Sequence, residues 1–301
     1  MLPRSFLLTA CCAVACAQDS AEGGQSLAPA WHASAYLSGH HVGAADFSEQ
    51  PGRLTVDELL GEGRVLFKPF TGTFIGGGIG GGQVSYRSDL LDRRYGIDDP
   101  MSVGWGRAMA IQFLSERWGV LAQGAVLTGA DGHAAWKEGL QYQIMVGPVY
   151  ATGEGFLLMA GAYIASRIGL PATVQPIVSL DWRMAPEWRL RIFDPVDNLS
   201  RLTWAPTPRF EVGARVDVRI MEFALAHTAD WGQAAVLRDR RVLVAAECTW
   251  RPLADDRLQI RPFAGVSLGR AMQVRDRSGN TLFDDHINHA PDLGVTLRSD
   301  F

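Results

Sequence analysis

Asp181, Arg183, Arg189, Arg191, Arg201, Glu211, Arg215, Asp217, Arg219, Glu247, Arg251, Arg261, Arg298 and Asp300 recur within short segments whose ionisable and apolar residues alternate. Alternation with period two places such residues on one face of extended strands. Two kinds of chemistry follow from that arrangement. A guanidinium fork matches a carboxylate bidentately, so mixed arginines and acids on facing positions could form a bracing ladder of ion pairs. Arginines outnumber acids here. If the face lines a water-filled space, the excess positive charge would concentrate anions, as in an anion-leaning pore. The sequence leaves both readings open.

Other constellations are weaker. Asp284, Asp285, His286 and His289 form the one metal-like cluster, with carboxylates beside a His-x-x-His spacing that could hold a divalent ion on an exposed loop. Without a defined helix that spacing is little more than a solvated loop, and no metal is expected. His40-His41 has no acidic neighbour in sequence. No Gly-x-Ser-x-Gly elbow and no His-Glu-x-x-His occurs, so no catalytic residue and no cofactor is expected, while a membrane-embedded hydrolase with a site assembled across strands stays a third reading. The run Gly76 to Gly82 lacks the Gly-Lys-Ser/Thr of a phosphate loop and instead suits close backbone approach in a strand.

The elements that must carry these residues are β-strands of about ten residues from Arg107 onward. Leu293, Val295, Leu297 and Phe301 alternate with Thr296, Arg298 and Asp300; Leu258 to Leu268 repeats the pattern, with Phe263 as the one large apolar residue on the polar side. Short links such as Glu116-Arg117, Met184 to Glu187 and Ala205 to Pro208 alternate with mostly longer ones such as Thr128 to Lys137, His227 to Arg238 and Arg275 to Ala290. A membrane barrel sorts short turns and long loops to opposite ends, which a Greek-key sandwich has no reason to do. Trp118, Trp182, Trp188, Trp204 and Trp250 lie beside the short turns, and Phe301 ends on the same side, as an interfacial aromatic girdle requires. The expected fold is an all-β, transmembrane, antiparallel up-and-down barrel of about 12–14 strands. Residues 31–82 are the least regular part, with Trp31 to Val42 and Arg64 to Phe70 as two candidate strands.

Residues 1–17 read as a signal peptide. Arg4 precedes a short apolar stretch, and Ala15-Cys16-Ala17 fits cleavage before Gln18. Leu8 to Cys11 and Ala13 to Cys16 are competing lipobox-like motifs. Residues 18–30 form a polar lead-in, and 31–301 the barrel domain. Cleavage after Ala17 would leave Cys248 as the sole cysteine, so stability must come from the sheet. The chain carries 28 Lys and Arg against 32 Asp and Glu, with no basic run, and offers nucleic acid no electrostatic footprint.

The stretch Gln175 to Trp182, its turn, Trp188 to Arg191, Asp194-Pro195 and Arg201-Leu202, together with Arg241 to Arg270, resembles a bacterial outer-membrane-type β-barrel domain family of unknown function. The resemblance covers about residues 107–301. It implies fold and outer-membrane location, and it supplies no catalytic or binding residues. The expected function is a pore or passive transport barrel; the alternative is a closed structural or surface-interaction barrel that works through its long loops. Expected partners are outer-membrane lipid, the barrel-assembly machinery through the strand ending at Phe301, and small anionic solutes.

Overall fold

Alternating side chains leave each strand with one apolar and one mixed face, and closing the sheet on itself hides the mixed face. The computed structural model describes residues 30–301 except 96, 98–99, 153–154, 195–198, 227–234 and 254–256. The expected signal segment and most of the lead-in therefore lie outside the described residues.

The chain forms β1 (Ala30–Asp46), β2 (Arg53–Phe70), β3 (Thr73–Arg87), a short helix α1 (Asp89–Tyr95), β4 (Met101–Phe113), β5 (Trp118–Ala130), β6 (Leu140–Thr152), β7 (Phe156–Arg167) and β8 (Leu170–Ala185). There follow β9 (Trp188–Asp194), β10 (Leu199–Thr207), β11 (Phe210–Leu225), β12 (Ala235–Trp250), β13 (Leu258–Asp276), β14 (Thr281–Ile287) and β15 (Ala290–Asp300). Each of β1 to β13 pairs antiparallel with the next. β15 then pairs with both β13 and β1 and closes the ring, while β14 pairs only with the far end of β13. Of 15 strands, 14 thus form a closed antiparallel barrel.

Residues 31–82 hold more strand than their sequence suggests. β1 and β2 run longer than the expected segments, and the glycine run lies within β3. Glycine is required there by close approach: a Cβ on Gly80 would lie 2.5 Å from the Trp105 ring, which packs over the bare backbone inside the barrel. Glycine 294 makes the same allowance for Phe263, whose ring would lie 2.4 Å from a Cβ at that position.

The start of β1, the end of β15 and the links β2–β3, β4–β5, β6–β7, β8–β9, β10–β11 and β12–β13 lie at one end, the short-turn end; the other end holds the longest links, β3–β4, β5–β6, β11–β12 and β13–β15, together with the tight β7–β8 turn. Outward positions form an apolar belt that includes Leu37, Val65, Ile79, Val120, Ile144, Val178, Val244, Val266 and Leu297, all exposed. Trp118, Trp182, Trp188, Trp204 and Trp250 are 41–55% exposed at the short-turn end. Phe301 is exposed there too, and Trp31, stacked on Phe67 at 4.2 Å, and Phe70 extend the same ring. Among the described residues no helix is long and apolar enough to cross a membrane; strands carry that role in a barrel.

Candidate functional site

The lumen is built by inward positions of the ring, and ion pairs occupy it in tiers. Nearest the short-turn end, Arg251 donates to Glu211 (3.1 Å) and Arg298 to Asp300 (2.9 Å), while Arg261 donates to Gln259 (2.5 Å). Asp181 accepts two bonds from Arg189 (2.6 and 2.5 Å), with Arg191 at 3.7 Å. Arg183 has the same parity but is exposed at the mouth. Deeper, Glu247 joins Arg201 (2.9 Å) and Arg215 (3.6 Å), and Asp217 lies 3.8 Å from both Arg215 and Arg219. The Arg215 guanidinium also stacks 3.7 Å above the Phe263 ring, which explains the apolar residue on that polar face.

Opposite these lie groups that alternation in the C-terminal half could not place. Glu62 accepts from Arg64 (2.7 Å), Trp105 (2.9 Å) and Tyr36 (3.2 Å), and pairs with Arg107. Glu58 accepts from Arg241 (2.5 Å) and pairs with Arg219. His40, whose direct cross-strand neighbour is Glu58, sits 2.7 Å from Asp292. Its acidic partners come from adjacent strands, which is why its sequence neighbourhood shows none. Above them Asp239 takes a bidentate bond from Arg270 (3.0 and 2.7 Å) and one from Tyr86 (3.2 Å). Glu58, Glu62 and Asp239 are each buried and met by two or more donors, the condition under which buried charge is tolerated.

The ladder does not fill the lumen. A cavity of about 100 Å³ remains on the short-turn side, bordered by Arg201, Arg215, Arg261, Arg298, Trp105 and Asp217. The long-loop end is capped by an apolar cluster drawn from most of the elements around it: Phe47, Leu54, Leu91 and Ile97 of the β3–β4 connection, Phe223, Met272 and Phe283 are all buried in it. Ring contacts at 5.9 Å join Phe47 to Phe283 and Tyr86 to Phe223.

Glu222 seals the rest of that end. It accepts from Arg167 (3.1 Å), Arg275 (3.0 Å) and the backbone of Ile168 (3.1 Å), tying the β7–β8 turn to β11 and β13.

The candidate metal cluster does not converge. Asp284, Asp285 and His286 fall within β14, whose pleat buries Asp285 and exposes Asp284 and His286 on the other face. Asp285 accepts from the Glu49 backbone and Asp284 from Gln273, and His289 lies exposed beyond the strand end. Among the described residues no three ligating side chains gather.

A search among curated proteins finds no match. Among solved structures, the chain is similar to the COG4313 outer membrane channel from Pseudomonas putida F1, at 12% identity over 90% of this chain and 95% of that one, with a TM-score of 0.46. It is also similar to the Pseudomonas putida toluene transporter TodX (8% identity, 90% of each chain, TM-score 0.40). The translocator domain of the Neisseria meningitidis autotransporter NalP is a third (8% identity, 95% and 94% coverage, TM-score 0.34). The barrel assignment itself rests on the closed ring of strand pairs. The sequence profile of a domain of unknown function, DUF6268, matches residues 73–299, and this chain belongs to that family.

Proposed function

We propose that this barrel sits in the bacterial outer membrane and passes small solutes, with a lumen that is shut in the conformation described. The exposed apolar belt, the aromatic ring at the short-turn end and the sorted loops support the membrane placement. In this reading residues 1–17 are a cleaved signal peptide, and the exposed Phe301 ends the strand that the barrel-assembly machinery takes up.

One observation carries the transport reading: the arginine-bordered cavity inside the ring. A barrel that served only as a rigid mount could be packed dry, whereas here guanidinium groups border an unfilled space that opens toward the short turns. Such a space raises the local concentration of small anions. The apolar cap over the long-loop end favours the second reading, a closed barrel that acts through its loops.

Planar-bilayer conductance separates the two. Purified barrel should conduct rarely as it stands and steadily once the cap is loosened by Leu91→Ala and Ile97→Ala. In a salt gradient the reversal potential should show anion preference that weakens as salt shortens the Debye length. Folded, cap-loosened barrel that never conducts would leave the loop-binding reading.

A further inference from the structure

Among the described residues, the barrel wall is incomplete on one side. β9 and β10 are only 7 and 9 residues long, between neighbours of 16 each. β8 meets β9 only from Leu180 onward, and β10 meets β11 only as far as Leu199 opposite Asp217. Among the described residues, Leu170 to Ser179 therefore has a partner in β7 alone, and the far half of β11 lacks one in β10.

That half of β11 leaves the wall. Ala224 forms a parallel bridge with Ala130 of β5 across the lumen, and Asp131 holds it with two bonds: its backbone N–H to Ala224 (2.9 Å) and its carboxylate to the Ala226 N–H (2.8 Å). Ile220, Glu222 and Ala224, whose parity is outward, are consequently buried. The crossing strand fences off a compartment against β5 to β8.

The inward side chains there are apolar: Leu121, Met145, Met159 and Ile177. On the same inward faces lie the Gln123 side-chain oxygen, both amide atoms of Gln143, the Tyr163 hydroxyl and the Ser179 hydroxyl, each more than nine-tenths buried and without a hydrogen-bond partner. The register sets them on neighbouring strands, with Gln123 opposite Met145 and Met145 opposite Tyr163. Buried polar groups without partners are rare. An apolar wall with a few convergent polar groups is what a small ligand site looks like.

We propose that this compartment binds small neutral amphiphiles, an apolar ring or chain carrying one hydroxyl, and that they arrive from the bilayer through the gap between β8 and β11. Below Arg167 the inward positions of β5, β6 and β7 carry no charge, which sets the class apart from the anions of the other half. The space of about 50 Å³ between β4–β5 and β11 is bordered by Leu127, Gln141 and Glu222 and by none of the four polar residues, and it holds no ring, so occupation goes with withdrawal of the β11 half-strand. Beyond Arg219 the strand stays paired with β12 and moves together with it, breaking the Ala224 bridge, the Asp131 bonds, the Glu222 contacts and the packing of Phe223 and Leu225 in the apolar cap. This inference does not rest on the transport reading.

Equilibrium dialysis of labelled p-cresol into barrel-loaded and empty lipid nanodiscs tests it, with toluene and benzoate as comparators. Saturable p-cresol uptake above empty discs is expected, with no saturable benzoate. Tyr163→Phe combined with Gln143→Leu should weaken p-cresol about tenfold, the value of a hydrogen bond of ordinary strength, and leave toluene unchanged. Heat-modifiable migration checks that the variant is folded. Absence of saturable p-cresol, or equal affinity in the double variant, overturns the site.

The path is tested separately. Bridged residues lie within disulfide reach. Ala130→Cys with Ala224→Cys, in a chain whose other cysteines are serine, should slow p-cresol association at least tenfold when oxidised and recover on reduction. An unchanged rate overturns the lateral path.

Discussion

The inner faces of β5 to β7 and of β9 to β15 enclose one lumen with opposite chemistry. The first presents Leu121, Leu127, Met145, Val149, Leu157 and Met159, packed on one another. The second presents arginines and carboxylates in tiers, continued onto β1, β2 and β4 by His40, Glu58, Glu62 and Arg107. Apolar contacts are non-directional, and such a wall can shift and repack at modest cost. A buried ion pair tolerates no such shift, because losing one partner strands the other charge. The charged half thus fixes the barrel's cross-section, while the apolar half, beside the incomplete wall, is where it can deform.

The largest expected effect attacks the charged half. Glu58→Leu leaves Arg219, Arg241 and His40 around an apolar side chain and should cost about 3–5 kcal/mol. The urea midpoint of the heat-modifiable band measures this. A near-neutral result would mean that the tiers do not brace the ring. Next is the outer surface that both halves share: Val266→Arg puts a charge on the lipid face and should cost about 2–4 kcal/mol near the midplane by the same titration. If detergent-folded barrel tolerates it as well as Val266→Leu, the belt is not the membrane surface. The smallest effect belongs to the apolar half, where Ile177→Val should cost about 0.5–1.5 kcal/mol. A loss matching that of Glu58→Leu would erase the distinction between the halves.

Much of the charged half could be read from the chain, because β8, β10, β11 as far as Arg219, β12 from Arg241 and β13 as far as Gly269 alternate cleanly. Strand parity alone put Asp181, Arg201, Arg215, Asp217 and Glu247 on one surface, and the structure buries all five. What could not be read has local causes. Glycine positions of β3 carry no side chain, so alternation has nothing to mark, although the bare face is what admits Trp105 and Glu62. Gly269, at φ 53°, sits at a register shift in β13 and reverses parity, so Arg270 is buried where simple counting turns it outward. Beyond Arg219, β11 leaves the wall, and counting cannot reveal that Ile220 and Glu222 meet protein in place of lipid. Partners such as His40 and Asp292 are joined only by ring closure between β1 and β15.

If solutes pass along the charged half, its arginines set the reversal potential in a salt gradient. Arg215 and Arg219 are bound into buried carboxylates, so reversing them would test folding first. Arg261 and Arg298 border the cavity nearer its mouth and are only half-buried. In the cap-loosened barrel, Arg261→Glu with Arg298→Glu should move selectivity from anions toward cations, while Met159→Gln on the apolar half leaves it where it was. Steady conductance whose selectivity ignores the arginine reversal, or follows Met159→Gln equally, would contradict the account.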